Sequence, residues 1–253
     1  MSEDLSRGFV ADGVTILTLN RAPVNALNPA YLGEIEAELS KIEKDPAVRA
    51  VVLASGLKVF SAGMDLKEAQ GFSKAEQTAV VDGLNATYAR LYGLSKPVVT
   101  AAAGAAIAGG LFFILAADYT VAGQRAKFGL TEARVGVTFP VAPLEIARAV
   151  LSPATLRRVM LGGDLMSAQD AQDMGIIDEI VDAEDVMPRA LAMARHYAAI
   201  PPMTYASIKA QMRHRELSVI RETIENKTDP SRDGWYSDET PAAMAALLDA
   251  ATK

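Results

Sequence analysis

A chain of 253 residues, 50% of them hydrophobic, carries enough apolar side chains for one large core or for a core with an appendage. Its 31 acidic and 25 basic residues leave a net charge of -6 and an isoelectric point near 5.1, which excludes the broad basic surface that nucleic acid or an anionic membrane would need. With no cysteine present, disulfides, thiolate nucleophiles and cysteine-held metals are excluded as well.

The N-terminal stretch MSEDLSRGFV is polar and acidic, with no basic segment leading into an apolar one, and the final ATK is not a peroxisomal address, so the expected location is the cytoplasm. Residues 13–20 (GVTILTLN) are a β-branched run that predicts a strand, closed by the turn signal Arg21-Ala22-Pro23. Asn28-Pro29 then reads as an N-cap with proline in the first turn, and Tyr31, Leu32, Ile35, Leu39 and Ile42 recur beyond it at helical spacing. Residues 48–54 predict a second buried strand. In residues 58–66 (KVFSAGMDL) the chain bends through Ala62-Gly63 into a segment with Asp65 and Glu68 near its start, acids that suit a first helical turn. A helix over 73–94 follows.

Residues 97–118 (PVVTAAAGAAIAGGLFFILAAD) hold no charge before the final aspartate, so the stretch must be buried. Its first half is short and β-branched, the pattern of a strand covered on both faces; its second half has helix formers after Gly109-Gly110. Strand, tight bend and helix is therefore the expectation. The length alone suits a membrane span, but the alanines and glycines cluster and no basic flank or second apolar segment accompanies them. Neither G-x-G-x-x-G nor a P-loop lysine is present. The opening N–H groups of a helix have no intrahelical acceptor, and glycine there lets a ligand approach, so the Gly109 bend is a place for developing negative charge.

Beyond Asp118, residues 126–143 carry few charges, Lys127, Glu132 and Arg134, which leaves Glu132 in mostly apolar company or paired with Arg134 or another basic residue. Helices are expected over 143–151 and 155–161, a capped helix from Ser167 to before Gly175, and a strand at GIIDEIV (175–181). Three helices over 184–200, 203–226 and 240–251 complete the chain, separated by Pro201-Pro202 and by the polar loop TDPSRDGWYSDET. The switch from alternating strands and helices to helices alone places a boundary near Asp185, dividing an α/β core over 1–185 from a helical region over 186–253. His196 and His214 lack the Asp and Ser partners of a nucleophilic triad and any metal-ligand spacing, so no metal is expected.

Taken together and in this order, FSAGMDL, GAAIAGGLFFILAADY, FGLTEARVG and GIIDEIV resemble the crotonase superfamily, the enoyl-CoA hydratase and isomerase group. The resemblance implies a spiral of repeated ββα units with a C-terminal helical trimerisation region, assembly as a homotrimer or homohexamer, and acyl-CoA thioesters as substrates, coenzyme A being part of the substrate and no separate cofactor being needed. No nucleic acid or membrane partner is expected. By motif position the oxyanion hole falls to the backbone N–H groups of Met64 and Gly109, and the substrate contacts to Val24, Ala26, Ala62, Asp65 and Leu66, with Gly110 and Phe112 beside them. Hydratases of this group carry two glutamates; here the first position is Phe112 and the second is Glu132. The APVNALN turn, FSAGMDL and LYGLSKPV look most like the 3,2-trans-enoyl-CoA isomerase branch, in which one carboxylate suffices to move a double bond. A one-glutamate hydratase, another reaction through a thioester enolate, and a non-catalytic acyl-CoA binding protein are the alternatives.

Two readings stay open at this point. Phe112 either lines the acyl pocket or fills the core. Lys209, Arg213, His214, Arg215 and Arg221 read as a solvated helix face, with contact to the phosphates of coenzyme A as the alternative. The apolar Leu191, Met193, Ile208, Met212, Ile220, Ile224, Met244 and Leu247 are many for a terminal region and are expected to support an oligomer interface.

Overall fold

The computed structural model describes residues 2–251. The central sheet has six strands in the order β1 (Leu5–Phe9), β2 (Val14–Leu19), β3 (Ala50–Ser55), β4 (Val98–Ala102), β6 (Tyr119–Gly123) and β9 (Glu179–Val181). Only β1 and β2 pair antiparallel. β4 (VVTAA) is buried along its whole length, and β3 (AVVLAS) along all but its last residue, as strands in the interior of a parallel sheet must be. A second sheet of three strands, β5 (Ala106–Ile107), β7 (Lys127–Gly129) and β8 (Met166–Ser167), stands beside the first.

One face of the large sheet packs on α1 (Pro29–Lys44), α3 (Lys74–Tyr92) and α4 (Gly109–Leu115) through Leu17, Leu19, Val51, Leu53 and Val98. Asn28 caps α1 by accepting from Tyr31 N at 3.0 Å, and Tyr31, Leu32, Ile35, Leu39 and Ile42 form its buried face, as their spacing requires. The opposite face, Val14, Ala50, Val52, Ala54, Val99, Ala101 and Val121, is covered by α9 (Val186–Ala198). Val186, Ala190, Ala194 and Ala198 recur every fourth residue, so α9 offers the sheet a stripe of mainly small side chains and lies close against it.

Three features differ from the sequence expectation. The N-terminal segment is an edge strand, because Leu5 is buried against the core even though its neighbours are polar. The GIIDEIV strand begins only at Glu179, since Ile176 and Ile177 turn into the core first. Lys209 and Arg213 are not a solvated face. Both lie on α10 (Pro202–Asn226) and are buried, and their charges meet Asp118 at the end of α4: Nζ of Lys209 donates to Oδ2 at 2.6 Å, and Nη2 of Arg213 to Oδ1 at 2.8 Å. Arg213 also donates to the carbonyls of Tyr92 and Ala116, closing the C-terminal ends of α3 and α4, with its guanidinium 4.1 Å from the centre of the Tyr92 ring. Burial pulls the Lys209 ammonium down to about 8, with Asp118 opposing the shift. Of the apolar residues expected at an interface, Ile220 and Met244 belong to the chain's own core, whereas Ile208, Met212 and Ile224 are exposed.

Asp118→Ala strands two buried cations, so it is expected to lower stability by about 3–5 kcal/mol in urea denaturation. A loss below about 1 kcal/mol, the range of surface pairs, would contradict that placement.

Candidate active site

The two small-residue bends read from the sequence meet. Residues 24–27 run alongside residues 62–65: Ala62 N donates to Val24 O at 3.0 Å, Leu27 N to Gly63 O at 2.7 Å, and Asp65 N to Leu27 O at 3.0 Å. Ile107 N donates to Ser61 O at 2.9 Å, which lays the second bend against the first. Gly63 has φ +79°, and a Cβ on it would stand 2.8 Å from Ala108 Cβ and 3.0 Å from Gly109 N. A Cβ on Gly110 would stand 2.3 Å from Ser61 O. Glycine at these two places is therefore what lets the backbones touch. Ala108 takes φ 50°, ψ -128°, an unfavourable conformation for a residue with a side chain, and turns the chain from β5 into the first turn of α4.

The consequence is a pair of backbone N–H groups, those of Met64 and Gly109, that donate to no acceptor among the described residues. Both residues line a single cavity, which Ala62, Leu66, Phe112 and Glu132 also line. Asp65 sits beside it as the N-cap of α2 (Leu66–Ala69), accepting from Lys67 N and Glu68 N and pairing with Arg21 at 3.4 Å. Val24 and Ala26 flank the bend without lining the cavity, and Gly110 lies behind it against Ser61. Phe112 answers both open readings at once. It is 1% exposed, in ring contact with Tyr88 and Phe139, and it also forms part of the cavity wall.

Glu132 opens the short helix α5 (Glu132–Val135), three residues after Gly129, whose carbonyl accepts from Ala108 N at 2.8 Å. That bond ties the segment carrying the carboxylate to the bend carrying Gly109. Arg134 does not pair with Glu132; it turns away to Asp164 and to the carbonyl of Gly163. Oε2 of Glu132 is buried with no hydrogen-bond partner among the described residues, and burial pushes the carboxyl from 4.5 up to about 8. Among the described residues it is the only carboxylate in the cavity wall. Tyr88, which donates its O–H to the carbonyl of Gly109, is fully enclosed nearby, and burial together with the Glu132 charge raises its phenol well above the usual value.

The rest of the wall escaped sequence reasoning. Leu84 and Tyr88 come from one face of α3, where their spacing reads as core packing. Val137, Phe139 and Pro143 follow α5, and Trp235 comes from the loop between α10 and α11 (Thr240–Ala251). The signal for Trp235 was a bulky aromatic inside an otherwise polar loop, which nothing local requires.

Residues 10–230 match the profile of the enoyl-CoA hydratase/isomerase family. The chain belongs to that family. The crotonase fold expected from the motifs is the fold observed: human mitochondrial delta3-delta2-enoyl-CoA isomerase superposes with a TM-score of 0.90 at 27% identity, covering 99% of this chain and 98% of the human one. Enoyl-CoA hydratase EchA3 from Mycobacterium marinum gives a TM-score of 0.82 at 26% identity over 92% of this chain and all (100%) of its own. Among curated sequences, a probable enoyl-CoA hydratase, EchA17 of Mycobacterium tuberculosis, is 31% identical over 206 residues, covering 81% of this chain and 79% of the relative. Human mitochondrial enoyl-CoA delta isomerase 1 is likewise 31% identical, over 204 residues, covering 79% of this chain and 68% of the relative. An enzyme of the enoyl-CoA hydratase/isomerase family thus carries one buried carboxylate in the same cavity wall as two unpaired backbone donors.

A carboxyl whose pKa is raised in the folded protein favours the folded state most below its unfolded value, and that contribution fades as pH rises through the folded value. For Glu132 the window runs from 4.5 to about 8. Glu132→Gln is therefore expected to gain stability over the parent enzyme as pH rises from 5 to 9, read as the difference in urea midpoints. A difference independent of pH would show that the carboxylate is solvated.

Proposed function

We propose that this enzyme shifts the double bond of a 3-enoyl-CoA to the 2-position. The observation that carries the proposal is the single carboxylate: Glu132 is the only one in the cavity wall, and Phe112 fills the place where the hydratase pattern has a second. Hydration asks for a water to be activated and a proton delivered at neighbouring carbons, which two carboxylates divide between them; double-bond migration moves one proton along one face of the substrate. The two 31%-identical relatives bear one name of each kind, so the preference rests on the site.

In the proposed reaction the thioester oxygen lies between the N–H groups of Met64 and Gly109. Glu132 takes a proton from C2, the electrons of that C–H bond delocalise into a dienolate, and the same carboxyl returns the proton at C4, leaving the double bond between C2 and C3. Charge moves from a site that resists it to one that accepts it. An unpartnered, buried carboxylate is better off neutral, while two preorganised donors wait for the oxyanion, each typically worth about 2.7 to 4 kcal/mol of barrier. A carboxyl near 8 is also well matched to carry protons at neutral pH. The aromatic ring of Phe112 occupies space beside the dienolate that an attacking water would need. No cofactor beyond the coenzyme A of the substrate enters this chemistry.

The purified enzyme should convert 3-hexenoyl-CoA to the conjugated thioester, with kcat/KM rising as pH passes about 8, and should hydrate crotonyl-CoA slowly by comparison. Glu132→Gln should cost about 100- to 10,000-fold in isomerisation while acyl-CoA affinity is kept. Rapid hydration of crotonyl-CoA with the 3-enoyl substrate untouched would overturn the proposal.

The same reading extends to assembly as a homotrimer or a pair of stacked trimers. Its support is the exposed apolar set on α10, namely Met203, Ile208, Met212, Val219 and Ile224, which is unusual for a surface left in water. Light scattering at micromolar concentration should give a multiple of three subunits, and a monomer would reject it.

A further inference from the structure

We propose that Trp235 is the wall that limits acyl-chain length, restricting the enzyme to short- and medium-chain acyl thioesters. The proposal builds on the acyl-CoA reading of the cavity and adds what the apolar part of its wall selects. Beyond the donors, Thr131 and Glu132 the lining is mainly aliphatic and aromatic, including Leu84, Phe139 and Pro143, a surface suited to an alkyl tail. Trp235 is the one lining residue contributed by the segment between α10 and α11, and it is 5% exposed although it sits in a loop.

The loop holds the ring rigidly. Trp235 Nε1 donates to Thr138 O at 2.8 Å, Tyr236 pairs with Val137 as a β-bridge, and Tyr236 O–H donates to Ala69 O at 2.9 Å. Upstream, buried Asp229 accepts from Asn85 Nδ2 at 2.7 Å and from Val141 N at 2.8 Å, while Ser231 N caps back onto it at 2.9 Å. Downstream, Thr240 O–H donates to the carbonyl of Gly136. The loop is thus pinned on both sides of Trp235 to α3 and to residues 136–141, the stretch that follows Glu132. An indole held in this way acts as a fixed stop: a tail that reaches it cannot extend further without breaking several buried hydrogen bonds at once.

Each buried methylene should raise affinity about fourfold until the chain meets Trp235, after which the gain should stop or reverse. Saturated thioesters test this without any reaction, so the result does not depend on whether the enzyme isomerises or hydrates. Acetyl-, butyryl-, hexanoyl-, octanoyl-, decanoyl- and dodecanoyl-CoA should be titrated by calorimetry into the parent enzyme, Trp235→Leu and Trp235→Phe. The expected result is an affinity optimum in the parent that moves at least two carbons toward longer chains in Trp235→Leu and less far in Trp235→Phe. Trp235 is the only tryptophan, so its own emission gives a measurement that needs no mutation. It should be insensitive to acetyl-CoA and change abruptly at the chain length where the affinity gain stops. The same optimum in folded variants and parent, or an emission change as large with acetyl-CoA as with the longest thioester, would overturn the assignment while leaving the acyl-CoA reading in place. Failure of every thioester to bind would overturn both.

Discussion

The candidate active site depends on two backbone segments lying closer together than side chains allow. Gly63 against Ala108 and Gly109, and Gly110 against the carbonyl of Ser61, are contacts that a single Cβ would break. The contact is supported from outside by the short sheet of β5, β7 and β8, by the strained turn at Ala108, and by the bridge from residues 24–27 to residues 62–65. Donors built on the backbone and wedged by neighbouring backbone need no side-chain ordering when charge develops, which is the sense in which such a site is preorganised. The identity of the side chain at Met64 is then secondary to where its N–H points.

Two carboxylates near α4 show how context assigns a role. Asp118, at the end of the helix, is surrounded by Lys209, Arg213 and the N–H of Val98, and its side chain is only 10% exposed. It is a fully satisfied buried anion whose job is to hold α10 against the sheet and to complete the end of α4. Glu132, close to the start of the same helix through the Ala108–Gly129 bond, has an oxygen with no partner among the described residues. An orphaned carboxylate in an apolar cavity costs stability, and a cost retained at a site facing two unpaired N–H groups points to chemistry.

The C-terminal third does more than offer a surface to other subunits. α9 seals one face of the large sheet, α10 supplies the buried cations that finish α3 and α4, and the loop beyond α10 adds Trp235 to the cavity wall. Ile208, Met212 and Val219 of α10 share a helical face on the side left over from these tasks. Core and helical region therefore share one packing problem, and the active site lies where their side chains meet.

The sequence by itself determined the pieces whose physics is local. β-branched runs became buried parallel strands, α1 took the face its spacing dictates, the Asn28 cap formed, and both small-residue bends appeared where Gly63 and Gly109 stand. The apolar company of Glu132 was legible for the same reason, and the ordered motifs made the family recognisable. Only the tertiary structure decided that Lys209 and Arg213 are interior, because their partner Asp118 is far away in the chain and helical periodicity says nothing about what a charged face will meet. It likewise decided β1, and the strands of the small sheet, too short to leave a local pattern. The same holds for Trp235: a polar loop has no intrinsic reason to fold inward, and it does so here because hydrogen bonds to Asn85, Thr138 and Ala69, brought together by the finished fold, bind it in place.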